Sequence, residues 1–319
     1  MSKIDNISKI NDLLLECDSV LLLTHINPDG DAIGSSLSLY NALLAKYINV
    51  DIYIKDAPKI FSFLPNYDKI TKPLKDNYDL VIVTDCATLD RVGQEEHYFE
   101  NAKYTVNIDH HISNTNYANY NFVLGNSPAC CEYLYNIYKK LNIDITDDMA
   151  ECLITGILTD TGGLQYSQVN ANTFLIASRL SKKVNIPEIY KKVLSTKTKA
   201  QFEFSKIAIN RIEFYCNNKI AFTNITLDDM KQTNASYGDH EGIVNIGRDI
   251  EGVEVSIFIR EDVDDYKVSL RSNGLVDVNK IASIFNGGGH HDAAGISIKM
   301  DYIELKNKLI SLISEQLNG

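Results

Sequence analysis

Two of the chain's seven histidines stand side by side in "NIDHHI" (107–112), directly behind an acid and at the end of an apolar, β-branched run. Imidazole and carboxylate are the side chains that hold divalent cations or move protons near neutral pH. Three further places put the same residue types next to apolar segments. "THINPDGDAIGSS" (24–36) carries His25, Asp29 and Asp31 in a turn with Pro28 and Gly30. "VTDCATLDRVG" (83–93) carries Asp85, and "GILTDTGG" (156–163) carries Asp160 ahead of a glycine turn. Successive side chains at a strand end point to opposite sides, so one ion shared by His110 and His111 is awkward. The two histidines are expected to do different jobs.

Any one of these acids has a plainer explanation. A single Asp after a strand is commonly a turn residue or a helix N-cap, and Asp31 in particular could merely cap the helix that follows it. The joint occurrence of four clusters is harder to explain as four separate caps. Carboxylates gathered in one crevice are costly to bury unless cations compensate them. Imidazole and carboxylate without thiolate suit Mn²⁺ or a similar hard-to-borderline ion more than structural zinc. Four acids and two imidazoles supply enough ligands for two ions if one carboxylate bridges.

Strands must carry these clusters, and the sequence pattern provides them. "SVLLLTH" (19–25), "VDIYI" (50–54), "YDLVIVTD" (78–85) and "KYTVNID" (103–109) read as strands, most of them continuous apolar runs suited to burial on both faces. Helical spacing covers 4–16, 31–47, 128–141, 147–159 and 171–184. Strand–helix alternation predicts a parallel, doubly wound sheet, where ligands bind beyond the carboxyl ends of the strands. At 319 residues the chain is long enough for two domains. The texture changes in "NIPEIYKKVLSTKTKA" (185–200), which places a first domain at 1–185, a flexible connection at 186–200 and a second domain at 201–319. In the second, a helix is expected over 200–215 and strands near 219–226, 252–260 and 265–271. A helix at 277–286, a glycine-rich loop, a strand at 295–300 and a final helix complete it.

The H-x-x-x-D-x-D of residues 25–31, Asp85, Asp109-His110-His111 and Asp160 resemble the four motifs of the DHH phosphoesterase superfamily. "GGGHHDAAG" (287–295) resembles the Gly-Gly-Gly-His-x-x-Ala-Ala-Gly signature of the associated DHHA1 domain. Size and layout are similar to the bacterial oligoribonuclease/pAp-phosphatase (nanoRNase) branch. The resemblance implies an α/β chain with an N-terminal, mostly parallel DHH domain, a smaller α/β DHHA1 domain, and an active site in the cleft between them. It implies two Mn²⁺ ions, with Mg²⁺ or Co²⁺ as substitutes. His25, Asp29 and Asp85 would hold one ion; Asp31, Asp85, His110 and Asp160 would hold the other. Asp85 would bridge, His111 would face the substrate phosphate, and Asp109 would orient an imidazole by hydrogen bonding. Such an ion pair clamps a phosphoryl group and activates a water as nucleophile.

The DHHA1 resemblance assigns Arg271, Ser272, Gly287, Gly288, Gly289 and His290 to substrate binding. Arg271 suits bidentate phosphate recognition, and glycines permit close backbone approach to an anion. Arg248 and His240 are weaker candidates, for which a surface role is as reasonable. His97 reads as structural, and His291 has no assigned task.

The implied activity is hydrolysis of short oligoribonucleotides, two to five nucleotides long, and of 3′-phosphoadenosine 5′-phosphate (pAp). A cyclic-di-AMP or pApA phosphodiesterase uses the same domain pair. A RecJ-like exonuclease, a family II pyrophosphatase and a non-catalytic nucleotide-binding protein fit less well. The formal net charge of −11 disfavours long duplex DNA, which is gripped through many Lys/Arg–phosphate contacts. A short anionic substrate remains compatible, because ions and a few arginines neutralise a site locally. No membrane span, a cytoplasmic location and a homodimer are expected. The six cysteines are read as reduced and mostly core, including the adjacent Cys130 and Cys131.

Overall fold

The computed structural model describes residues 7–46, 49–235, 237–240 and 242–318. The chain divides into two compact units between Thr196 and Lys197. The outer parts of two expected helices, residues 4–6 and 47, lie outside the described residues.

In the first unit, α1 (Ser8–Glu16), β1 (Val20–Leu23), α2 (Gly30–Leu44), β2 (Val50–Ile52) and β3 (Leu80–Thr84) come first. α3 (Glu96–Glu100), β4 (Tyr104–Asp109), β5 (Tyr120–Val123), α4 (Cys130–Lys140), α5 (Asp147–Asp160), α6 (Ala171–Leu180) and α7 (Ile186–Tyr190) follow. The sheet runs β2-β1-β3-β4-β5, and every pairing is parallel. Strand order reverses between β1 and β3, which marks the crevice where such sheets bind ligands.

The continuous apolar runs are buried on both faces. Val20, Leu22, Leu80 and Ile82 join a large core with α1, α2, α4 and α5, while Leu21, Leu23, Val81 and Val83 pack into a second core with Phe99 of α3. α2 and α5 approach closely because neither carries bulk at the contact. A Cβ on Gly34 would lie 2.5 Å from the Cys152 carbonyl oxygen, and one on Gly156 would lie 2.3 Å from Cys131 Sγ. This approach brings the start of α2 to the end of α5.

The second unit contains α8 (Lys199–Asn210), β6 (Glu213–Tyr215), β7 (Ile220–Ile225), α9 (Leu227–Thr233), α10 (Ile243–Arg248) and β8 (Val255–Glu261). β9 (Tyr266–Ser272), α11 (Val278–Ile284), β10 (Gly288–His290), β11 (Ala293–Ile298) and α12 (Tyr302–Asn318) complete it. Its sheet, ordered β10-β11-β9-β8-β7-β6, is mixed, with only β7 and β8 parallel. α11 and α12 bury one face through Ile281, Leu305, Leu309 and Ile313, and α8 and α10 pack on the other through Phe204 and Ile243.

Several boundaries differ from the sequence expectation. The helix expected over 200–215 stops at Asn210, because residues 213–215 pair with β7 through a turn in which Cys216, Asn217 and Asn218 are all left-handed. The expected glycine-rich loop is instead strand β10, hydrogen-bonded to β11 in a tight hairpin. Glycine fits there because a Cβ on Gly289 would lie 2.3 Å from the Ala293 carbonyl oxygen. Residues 186–195, expected within a flexible connection, are helical turns whose Ile189 is buried in the first unit's core. α3, β5, α9 and α10 add to the expected elements; each is only four to seven residues long, too short to set up a clear apolar period. Among the described residues, no helix is long and apolar enough to cross a membrane.

Candidate active site

Each functional side chain stands at the carboxyl end of a strand or at a helix end beside it. His25 follows β1, Asp85 follows β3, and Asp109-His110-His111 ends β4. Asp29 caps α2: its Oδ1 accepts from the Asp31 and Ala32 amides, both at 3.0 Å. Asp31 does not serve as that cap. Its carboxylate crosses to the start of α4, accepting the Cys130 amide at 2.5 Å and the Cys131 amide at 2.9 Å. A helix N-terminus favours a negative charge there. Asp160 is the last residue of α5.

These elements bring the expected residues into three overlapping groups, and one of them, Asp85, His110 and His111, puts both adjacent histidines within reach of a common ion, against the strand-end expectation. His25, Asp29 and Asp85 offer ligand atoms within 4.8 Å of one another, and so do Asp31, His110 and Asp160. Asp85 joins them: its Oδ2 lies 3.7 Å from His25 Nε2, and its Oδ1 lies 3.3 Å from His110 Nε2. His110 Nε2 is also 3.3 Å from Asp160 and 3.8 Å from Asp31. Asp85 takes a left-handed backbone, φ 53°, a conformation that Asn and Asp tolerate better than most residues and that turns the chain directly after β3.

The donor set fits divalent cations. His25 Nδ1 lies 2.8 Å from the Ile26 carbonyl and His110 Nδ1 lies 2.9 Å from the Ser127 carbonyl. A carbonyl only accepts, so each Nδ1 carries the hydrogen and each neutral ring turns a lone pair on Nε2 toward carboxylates. Lone pairs facing carboxylates need a cation or a proton between them. Asp85 Oδ1 is buried with no hydrogen bond of good geometry. In the metal-free chain, protons take that place. Burial pulls His25 and His110 down, but the facing carboxylates, Asp85 foremost, outweigh it and leave both raised. Burial, with the charge of Asp85 next, pushes Asp31 up to about 7. Burial also raises Asp160, helped by Asp31 and Asp29. Asp85 goes the other way: burial opposes its charge, yet His110 and His25 hold its carboxyl far below the usual carboxylate range.

Asp109 and His111 take separate positions. Asp109 is fully buried; its Oδ1 lies 2.7 Å from His111 Nδ1, and its Oδ2 accepts from Asn114 at 2.6 Å. Asn114 also donates to Asn107 at 2.8 Å, and Asn107 donates to Tyr117 at 3.0 Å and to the Val83 and Cys86 carbonyls, both at 3.2 Å. The contact of Asp109 with an imidazole was expected from the sequence; the Asn114 and Asn107 relay behind it was not. Its signal is the density of Asn and Tyr in "HISNTNYANYN", which is too apolar-poor for a core and too short for a domain.

In the second unit, Arg271 (β9) pairs in register with Ala293 (β11), which pairs with His290 (β10). Residues in register share a face, so Arg271 and His290 flank a small alanine on one side of the sheet. Arg271 Nη1 donates to the Leu270 carbonyl at 2.9 Å. Ser272 is buried, and its hydroxyl accepts from the Gly274 amide at 3.1 Å. Gly287 packs against the Gly295 carbonyl, where a Cβ would stand at 2.3 Å, while Gly288 faces open space. His291, left without a task, pairs with Asp292 at the hairpin tip. Five of the six cysteines are buried and none is bridged, with Cys130 and Cys131 in the core and Cys216 exposed.

Comparison with known proteins agrees with this architecture. Residues 19–157 match the family model described as the DHH family, N-terminal domain, and residues 217–319 match the DHHA1 domain. The bifunctional oligoribonuclease and PAP phosphatase NrnA of Thermus thermophilus is 28% identical over 304 residues, 93% of this chain and 90% of the relative. Its namesake in Bacillus subtilis is 27% identical over 290 residues, 88% of this chain and 90% of the relative. An exopolyphosphatase-related protein from Bacteroides fragilis superposes with a TM-score of 0.90 at 27% identity, covering 98% of this chain and 97% of that one. RecJ of Thermus thermophilus in complex with Mn²⁺ shares the fold at a TM-score of 0.55 and 14% identity, over 98% of this chain and 55% of that one. The chain belongs to the DHH family, with a DHHA1 domain as its second unit, and is a phosphoesterase.

Proposed function

We propose that the chain is a Mn²⁺-dependent phosphohydrolase that degrades short oligoribonucleotides and removes the 3′-phosphate of pAp. The observation that carries this reading is the pair of donor groups joined through Asp85, whose Oδ1 is buried without a good hydrogen bond. The substrate class rests on the relatives named oligoribonuclease and PAP phosphatase, which align over about nine-tenths of both chains.

His25, Asp29 and Asp85 would hold one ion, and Asp31, Asp85, His110 and Asp160 the other. When bound, the ions supply positive charge that draws the phosphate in and makes a water a strong nucleophile. The Ile26 and Ser127 carbonyls fix both imidazole rings, so Nε2 stays aimed at the cluster. Asp109 holds His111, partly exposed, for a hydrogen bond to the scissile phosphate. Arg271, Ser272 and His290, with the glycines 287–289, would bind substrate phosphate in the second unit. Bases would be held by stacking and shape with little sequence reading.

The test is a substrate panel at fixed Mn²⁺: RNAs of two to five nucleotides, pAp, pApA, cyclic di-AMP and pyrophosphate. The expected result is turnover of short RNA and pAp that chelation abolishes. Turnover confined to cyclic di-AMP and pApA would move the assignment to a cyclic-dinucleotide phosphodiesterase. A panel left wholly intact would overturn the catalytic reading.

A further inference from the structure

The turn behind β3 carries a cation that lies beside the acid cluster without being taken up by it. Arg91 sits in the helical turn Leu89–Glu95 and is exposed. Its carbonyl accepts from the Ile26 amide at 2.8 Å, and its own amide donates to the Thr88 carbonyl at 3.2 Å. Gly93, left-handed at φ 77°, presses the same turn onto that loop; a Cβ there would lie 2.7 Å from Ile26 Cγ2. The turn is therefore pinned to the segment that carries His25.

The Arg91 guanidinium comes near that ring, with Nη2 3.4 Å from His25 Nδ1, but Nδ1 gives its hydrogen to the Ile26 carbonyl, so this is an approach of two donors and leaves the guanidinium's hydrogens unspent. His25 Nε2, on the other side of the ring, faces Asp85. The arginine thus stands beside the ring and not over the carboxylates, positioned by its backbone. Among the described residues, no carboxylate lies within ion-pair distance of it, although Asp29, Asp31, Asp85 and Asp160 crowd the same crevice. An arginine selected for stability alone would be expected to close on one of these acids. Planar, permanently charged and exposed, it is suited to take two oxygens of a phosphoryl group at once.

We propose that Arg91 is a substrate-contacting residue: its guanidinium binds non-bridging oxygens of the phosphoryl group presented to the His25–Asp29–Asp85 side of the cluster. The proposal rests on the phosphohydrolase reading above and deepens it. It gives the first unit its own phosphate grip, separate from Arg271. Charge-assisted contacts of this kind act where negative charge gathers on the transferring group.

The test uses the full Mn²⁺-loaded chain with Arg91→Ala and Arg91→Lys, pApA and pAp as substrates, and AMP as a binding probe. Arg91→Ala is expected to lower kcat/KM by about 10- to 100-fold, the scale of a lost charged hydrogen bond. Arg91→Lys should recover part of that loss, and free guanidinium ion should partly rescue Arg91→Ala but not the wild type. Mn²⁺ affinity and Tm should stay at wild-type values, while AMP binds about tenfold more weakly to Arg91→Ala. Wild-type kcat, KM and AMP affinity in Arg91→Ala would overturn the proposal. So would a loss that tracks weakened Mn²⁺ binding without guanidinium rescue, since Arg91 would then serve only His25. If the wild type cleaves nothing yet Arg91→Ala still weakens AMP binding, the phosphohydrolase reading fails and the phosphate contact stands.

Discussion

The acid cluster of the first unit and the glycine-histidine hairpin of the second are built in opposite ways. The cluster draws its side chains from four separate segments and gathers four carboxylates, of which Asp31 and Asp85 are buried, Asp160 is half-buried and Asp29 is exposed. The hairpin sets His290 on β10 and, across Ala293 of β11, Arg271 on β9. One arrangement converges carboxylates and imidazoles from distant parts of the chain; the other lines up an arginine and a histidine by strand spacing alone. Damage should therefore look different in the two places: loss of metal in the first, loss of substrate affinity in the second.

The sharpest break is expected at Gly156, which touches no substrate. A side chain there meets Cys131 Sγ and, at 2.5 Å, Asp31 Oδ1. Gly156→Val should push α2 off α5, separate Asp31 from Asp160 and cost about 1–3 kcal/mol of stability. Hydrolysis and Mn²⁺ uptake should both be lost, measured by calorimetry and thermal melting. Arg271→Ala should behave as the converse. Its Mn²⁺ stoichiometry should match the wild type while KM rises about tenfold or more. If Arg271→Ala instead lost metal, the division of labour between the regions would be wrong.

A smaller effect is expected at Asn114, which supports the cluster from behind. Asn114→Ala removes one of two partners that hold the Asp109 carboxylate facing His111. Turnover should fall about tenfold, the low end for a group that orients a functional imidazole, with metal content unchanged. An unchanged kcat would remove the network from the mechanism.

The gentlest probe is pH on the chelated protein. Asp31 is raised to about 7 when folded, so between the unfolded carboxylate range and about 7 the native state binds more protons than the unfolded state. Stability from that source is present at low pH and is lost as pH rises through about 7. The raised imidazoles of His25 and His110 act in the same direction. With chelator, Tm should fall between about pH 5.5 and 8, and Asp31→Asn should flatten the slope. Mn²⁺ should raise Tm more at the upper pH, because its ligands must first lose their protons. A chelated Tm that rises across that range would contradict the electrostatic picture.

Much of the site was legible because strand ends are legible. The apolar runs before His25, Asp85 and Asp109 mark buried parallel strands, and polar residues after such runs must lie at the carboxyl edge. What Asp31 does there was not legible, since its partners at Cys130 and Cys131 lie about a hundred residues away. The glycines of α2 and α5 were equally silent: their role is a close approach between helices, and no periodicity reports it. Arg91 went unremarked because a single charge after a strand carries no pattern. In the second unit, "GGGH" suggested a loop because glycine disfavours strands in isolation, yet the crowded pairing of β10 with β11 admits little else.

The central claim is that Asp85 serves both ions, and titration of Mn²⁺ into wild type and Asp85→Asn, with turnover measured on the same samples, tests it most directly. The substitution keeps the shape of the side chain and removes its charge. Two ions per chain in the wild type, loss of at least one in Asp85→Asn and abolished hydrolysis is the predicted result. Wild-type stoichiometry with wild-type turnover in Asp85→Asn would contradict it.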